Sequence, residues 1–277
     1  MDLSHVAPVT LFLQVVACVM WFQYFIHDGI RREGALNFAD RLNWMFPPLP
    51  QAVFRNTSVA PFEWTHILRS NYKVIQSELE QFRSANPGVL ETQKVQLALV
   101  SREYDESGWA SFFLRCFGHE STYLSSLFPR TMELLQEVDA SVSMPCVQIS
   151  ALAPGQSLPR HHDHRFKGML RYHLALSIPP HSDDDLYLTV YSEGESEEVV
   201  RWSNGSDFLF DPSNDHEVTN HAEAARIVLM AYTLRQDVPF WLNALNEMLL
   251  WISVKALNQC PNVLLKQDRF LREQCLD

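Results

Sequence analysis

The stretch "CVQISALAPGQSLPRHHDHRFKGMLRYHLALSI", residues 146–178, sets two short apolar runs on either side of a polar segment with three histidines in four positions. The runs, 146–152 and 170–178, are of strand length and are bounded by Pro, Gly and Asp, which reads as β structure. The same reading extends in both directions. Upstream are "VQLALVS" (95–101) and "WASFFLRCF" (109–117); downstream are "LYLTVY" (186–191), "EEVVRW" (197–202), "DFLFD" (207–211), "HEVTN" (216–220) and "ARIVLMAYT" (225–233). Asn204-Gly205 between two of these runs is a hairpin signal. Nine short strands with no helical pattern among them after residue 140 predict a double-sheet roll, mainly β with flanking helices.

Helical patterns lie outside this block. Tyr72, Ile75, Leu79 and Phe82 repeat at helical spacing and stop at Asn86-Pro87-Gly88. Residues 124–138 read as one helix with Pro129 near its start, and residues 240–257 as a C-terminal helix with a broad apolar face, packed on the roll or lying in a membrane interface. The chain divides into a segment 1–30, a helical lead-in 31–93, the roll 94–235 and a helical tail 236–277.

Residues 6–26, "VAPVTLFLQVVACVMWFQYFI", carry no formal charge and are followed by Arg31 and Arg32. About 20 apolar residues suffice to cross a bilayer as a helix. The segment before them has Asp2 and no Lys or Arg, so the positive-inside rule predicts a single N-terminal membrane span with the rest of the chain cytoplasmic. The alternative is a buried helix of the fold. A net charge of −11, with no basic stripe, excludes a nucleic-acid footprint. Five scattered cysteines without C-x-x-C spacing argue against a zinc knuckle or a disulfide framework and for a reducing compartment.

The histidines invite a metal reading. Non-haem Fe(II) oxygenases use two histidines and usually one carboxylate on one face of the iron, leaving positions for co-substrate and O2. His161-x-Asp163 precedes one strand run, His216 opens another, and Arg226 starts the next, where a guanidinium can grip the far carboxylate of an oxo-acid. Arg171 and His173 alternate on one strand and face the same side, a costly pair in a Leu-rich run unless partnered. Taken singly, the triplet arises by chance in loops, His216 is an ordinary capping residue and Arg226 a solvated strand end. Zinc suits the set less well than iron with a bidentate organic acid.

These residues also carry a family resemblance. "PG-x4-R-HHD", "LRYHLALSIP", "FLFDPSNDHEV" and "ARIVLMAYT" resemble the aspartyl/asparaginyl β-hydroxylases, 2-oxoglutarate- and Fe(II)-dependent dioxygenases with a double-stranded β-helix (jelly-roll, cupin-like) core. The likeness is nearest to the membrane-anchored lipid A acyl-chain hydroxylases, which share the apolar N-terminus, the string L-R-Y-H-L and a helical tail. The resemblance implies His161 and His216 as iron ligands, Arg226 as the anchor of the 2-oxoglutarate distal carboxylate, and Ser150, Arg171 and His173 as further co-substrate contacts. Asp163, absent from the polypeptide β-hydroxylases, is either the third ligand or a neighbour of the metal. The string P-x-H-x-D selects His161; counting back from His173 without a gap selects His162, with His164 a third choice. Ala175 replaces the family's usual glycine.

The expected function is hydroxylation of a C–H bond with Fe(II), 2-oxoglutarate and O2. The leading substrate is a membrane lipid acyl chain, with the bilayer as partner. The alternatives are β-hydroxylation of Asp or Asn in a polypeptide, and a non-catalytic binding module.

Overall fold

The computed structural model describes residues 43–46, 49, 51–90, 108–163, 166–192, 196–256 and 260–274. The expected membrane span (6–26), the strand expected at 95–101 and His164 lie outside the described residues.

Among the described residues, eleven strands form two antiparallel sheets. They are β1 (Val53–Phe54), β2 (Trp109–Cys116), β3 (His119–Glu120), β4 (Cys146–Leu152), β5 (Gln156–His161), β6 (Met169–Ser177), β7 (Leu186–Tyr191), β8 (Glu197–Val200), β9 (Asp207–Phe210), β10 (Asp215–Asn220) and β11 (Arg226–Leu234). The larger sheet has the order β1-β9-β6-β11-β4-β2-β3 and the smaller β5-β10-β7-β8. From β4 to β11 the chain passes back and forth between the sheets, the winding of an eight-stranded jelly roll.

The central strands of the larger sheet are covered on both faces, so apolar residues fill both sides of each, and the alternating polar residues Gln148 and Ser150 of β4 and Arg171 and His173 of β6 are buried. On β11, Ile227, Leu229 and Ala231 face a helical layer, while Val228 and Met230 face the inside of the roll. That layer is α1 (Thr65–Ser70), α2 (Tyr72–Ala85), α3 (Thr122–Leu127) and α4 (Pro129–Asp139). Ile75, Leu79 and Phe82 of α2 pack there against Phe112 and Leu174. Two helices stand where residues 124–138 predict one. Pro129 has no N–H to continue a helix and instead opens α4. The buried Glu78 carboxylate of α2 accepts the next two donors of α4, Arg130 N at 2.7 Å and Thr131 N at 2.9 Å.

Two further expectations change. β5 is a strand absent from those expected, its sequence "QSLPRH" being polar and containing Pro159; it is an edge strand, where a missing donor costs nothing. Asn204-Gly205 makes a turn but no hairpin, because β8 pairs with β7 and β9 pairs with β6 and β1. Asn204 Oδ1 accepts from Ile178 N at 2.8 Å, and Gly205, at φ 82°, lies where a Cβ would meet the Tyr72 ring at 2.7 Å. The turn is therefore held on the end of β6 and carries the chain from one sheet to the other.

The predicted C-terminal helix is α5 (Phe240–Ala256), followed by α6 (Cys260–Gln274). On α6, the Gln267 amide bonds both Phe113 N (2.8 Å) and Phe113 O (2.9 Å), where β2 slips register against β4. Among the described residues, no helix is long and apolar enough to cross a membrane.

Candidate functional site

Between the sheets lies a cleft lined by all seven residues singled out in the sequence: Ser150, His161, Asp163, Arg171, His173, His216 and Arg226. Register explains how distant residues meet. His161 on β5 stands directly opposite His216 on β10, so their side chains leave the same face. Their rings are 4.4 Å apart, and ligand atoms of His161, Asp163 and His216 all lie within 4.8 Å of one another. His162 turns the other way, to Asp215 at 3.4 Å, so the histidine brought to His216 is His161.

Each ring of the pair is oriented through its Nδ1. His216 Nδ1 lies 3.0 Å from Asn214 O, and His161 Nδ1 lies 2.6 Å from Pro159 O. A carbonyl can only accept, so in both rings Nδ1 carries a proton and Nε2 is the nitrogen left for a ligand role. His216 Nε2 is buried with no hydrogen-bond partner. Burial, opposed in part by the Asp163 carboxylate, pushes His216 from its ordinary 6.5 down to about 4, so the ring is neutral at pH 7. Two imidazoles, that of His216 held neutral, and a carboxylate converging on one point form a set that a divalent metal can use.

Asp163 is fixed by two groups. Its Oδ2 accepts from Tyr232 Oη at 2.8 Å and pairs with the Arg171 guanidinium. Arg171 and Tyr232 are opposite one another on β6 and β11 and are themselves hydrogen-bonded. The Asp163 Oδ1 atom lies 3.9 Å from His161 Nε2. Arg171 thus lines the cleft as expected, but spends Nη2 on Asp163.

The inner end of the cleft is built differently. Arg226 is 2% exposed, and its Nε and Nη1 have no hydrogen-bond partner. Its guanidinium lies over the Trp202 ring at 4.9 Å. Burial, with repulsion from Arg171, lowers its pKa to about 9. Next to it, His173 stacks near Trp202 and leaves both ring nitrogens unbonded; burial first, then Arg226, Arg171 and His216, hold it well below 6.5 and therefore neutral. A buried, unpaired guanidinium is costly. An anion entering beside Arg226 removes that cost, and the donor set fits an oxo-acid carboxylate there with a metal at the histidines.

Two residues that support the cleft escape a reading of the sequence, Tyr232 behind Asp163 and Trp109 in the lining. Tyr232 follows Arg226 at an even spacing along β11 and so shares its face, a signal present in "ARIVLMAYT" but hidden by its apolar neighbours. Trp109, whose indole donates to Ser150 Oγ at 2.8 Å, is fixed only by the pairing of β2 with β4. The rest of the lining is apolar, with Leu158, Leu188, Phe210, Val218 and Met230.

Against known proteins, the family model for aspartyl/asparaginyl beta-hydroxylase matches residues 69–236. An ornithine lipid ester-linked acyl 2-hydroxylase of Rhizobium tropici is 28% identical over 192 residues, 69% of this chain and 64% of that protein's length. A Pseudomonas putida prolyl-4-hydroxylase structure aligns at 16% identity and TM-score 0.40 over 61% of this chain and 88% of its own. A Trichoplax adhaerens prolyl hydroxylase, solved with a fragment of hypoxia inducible factor, aligns at 15% and 0.45 over 80% and 96%.

Proposed function

This chain belongs to the aspartyl/asparaginyl β-hydroxylase family, and we propose that it is an Fe(II)- and 2-oxoglutarate-dependent dioxygenase that hydroxylates the acyl chain of a membrane lipid. The observation that carries the reading is the pairing, in one cleft, of an unpartnered buried guanidinium with an unpartnered buried imidazole nitrogen, Arg226 and His216 Nε2. His161, His216 and Asp163 hold the metal. Arg226 receives the distal carboxylate of 2-oxoglutarate, with Ser150 and His173 beside it. When bound, iron and 2-oxoglutarate supply the oxidising chemistry: O2 is split, 2-oxoglutarate leaves as succinate and CO2, and one oxygen atom enters a substrate C–H bond.

The protein's own part is placement. The carbonyls of Asn214 and Pro159 aim the two Nε2 atoms, Tyr232 and Arg171 hold Asp163, and the apolar lining excludes water. That lining also supports an acyl chain over an Asp side chain, because both arginines of the cleft have other duties, Arg171 with Asp163 and Arg226 with the oxo-acid. The relative's name, an acyl hydroxylase of ornithine lipid, points the same way. We assign residues 6–26 as a single-span anchor that keeps the roll on the cytoplasmic face of the bilayer.

The test is lipid mass spectrometry of cells with and without the protein, beside succinate release by purified protein. The expected result is one added oxygen on an acyl chain, and succinate that depends on Fe(II) and O2. Oxidation of Asp or Asn peptides with unchanged lipids overturns the substrate reading. Absence of both succinate formation and metal-dependent 2-oxoglutarate binding leaves only a non-catalytic module.

A further inference from the structure

Helix α5 is apolar on both sides. It docks on the roll through Leu242, Asn246 and Leu249, at i, i+4 and i+7. The opposite stripe, Trp241, Ala244, Met248 and Trp251, has the same helical spacing and is exposed except at the half-buried Met248. Phe240 is 87% exposed, Trp241 54% and Trp251 59%. A helix resting on a water-exposed fold ordinarily turns charge outward. Between Phe240 and Trp251 the only charged residue is Glu247, whose carboxylate accepts from Ser143 Oγ at 3.0 Å.

A second element brings another exposed aromatic to the same pole. Trp44, 80% exposed, sits in the short 3-10 turn Asn43–Met45. Asn43 Oδ1 accepts from Lys167 N at 2.9 Å, and Phe46 meets Phe166 edge-on at 5.7 Å. The next residue, Gly168, accepts from Asn246 of α5 and lies so close that a Cβ there would come within 2.7 Å of Asn246 Oδ1. Residues 166–168 therefore join the Trp44 turn to α5. The uncharged stretch 6–26 precedes this turn in the chain.

The metal-ligand end of the cleft is its more exposed end, and the chain leads from there to α5. The side chains of His161 and Asp163 are 16% and 18% exposed, whereas Arg226 at the other end is sealed. β11 runs from Arg226 to Tyr232 at the rim, and Arg235 N then bonds Gly168 O at 3.0 Å just before α5 begins.

We infer that this pole is a bilayer-docking face, with Phe240, Trp241, Trp251 and Trp44 set into the phospholipid interface and the cleft mouth turned toward the acyl chains. Aromatic rings with a polar edge favour that depth. A chain of net charge −11 has no general attraction for anionic headgroups, so the docking is driven by apolar contact and is insensitive to salt. A second copy of the chain is a poorer occupant. Fully buried aromatics cover about 150–250 Å² each; scaled by their fractional exposures these four present roughly 400–700 Å², short of the ~800 Å² per partner of a standard interface. The inference deepens the lipid-hydroxylase reading and rests on it for its purpose, but the docking is measured without turnover.

The experiment uses the full chain reconstituted in phosphatidylcholine vesicles with brominated acyl chains, which quench tryptophan on contact. Wild type is compared with Trp241→Phe/Trp251→Phe, which keeps the face apolar and removes two reporters. The expected result is a clear fall in the quenched share of emission in the variant, unchanged by salt. Equal quenching in the two proteins overturns the inference, as does protection of α5 by self-association without lipid. In a second arm, Phe240→Ser/Trp251→Ser lowers hydroxylation of vesicle lipid at least tenfold, with lipid-independent succinate release unchanged; full activity on vesicle lipid overturns the proposed role. Succinate release without quenching sinks the docking alone, and quenching without any turnover sinks the hydroxylase reading alone.

Discussion

His216, His173 and Arg226 are buried in the same way, and each is held away from its charged form. For the two histidines this gives a pH dependence of fixed sign. In the unfolded chain each imidazole takes up a proton below about pH 6.5, whereas folded His216 resists to about 4. Between those values the unfolded state binds more protons, so apo-protein stability falls as pH drops, by about 1.4 kcal/mol per pH unit per group. Urea titrations at pH 7 and pH 5 check it; equal midpoints contradict it. Arg226→Met removes an unpaired buried cation, so it should raise apo stability by ~1–4 kcal/mol while weakening 2-oxoglutarate binding, read by calorimetry, on the order of 100-fold. Tyr232→Phe frees one side of Asp163 and should weaken Mn(II) binding by about 10-fold, with 2-oxoglutarate affinity at saturating metal little changed. The residue types of the cleft were legible because H-x-D, His216 and Arg226 each stand at a strand end. Which of His161 and His162 faces His216 was not, since adjacent residues of a strand point to opposite sides and only the pairing of β5 with β10 fixes which side is inward.

At the scale of elements, strands β2, β4, β6, β9 and β11 of the larger sheet were readable from apolar runs while the two-residue strands β1 and β3 were not, and the misreadings share one cause. β5, the break at Pro129 and the unpaired Asn204-Gly205 turn are all set by partners far away in the chain, which local pattern does not contain. Glu78 is the clearest case, a carboxylate on α2 that serves as the N-terminal cap of α4. Glu78→Ala leaves three buried or partly buried donors unmet, Arg130 N, Thr131 N and Thr131 Oγ1, and should cost about 1–3 kcal/mol, measured as a shift in urea midpoint. The turn that presents His216 depends on a similar distant tie. Asp211 accepts from Ser213 N at 2.9 Å and from the fully buried Arg235 at 2.7 Å. Asp211→Ala leaves that guanidinium uncompensated on one side and should destabilise by about 3–5 kcal/mol, with loss of metal binding at temperatures where the fold persists.

Over the whole molecule, the helical layer covers one face of the larger sheet, the cleft occupies the other, and α5 with the Trp44 turn forms the inferred bilayer-docking face. This arrangement joins two otherwise separate features of the sequence, an uncharged N-terminal stretch and an iron-type ligand set, into one account of an enzyme working at a membrane. The most direct test of that account is oxygen-dependent conversion of 2-oxoglutarate to succinate by the purified, Fe(II)-loaded full chain on lipid vesicles, with wild type run beside His216→Ala. The account predicts turnover with one oxygen added to an acyl chain in the wild type, and none in the variant. Undiminished turnover in His216→Ala, or a wild type that neither turns over nor binds 2-oxoglutarate in the presence of metal, contradicts it.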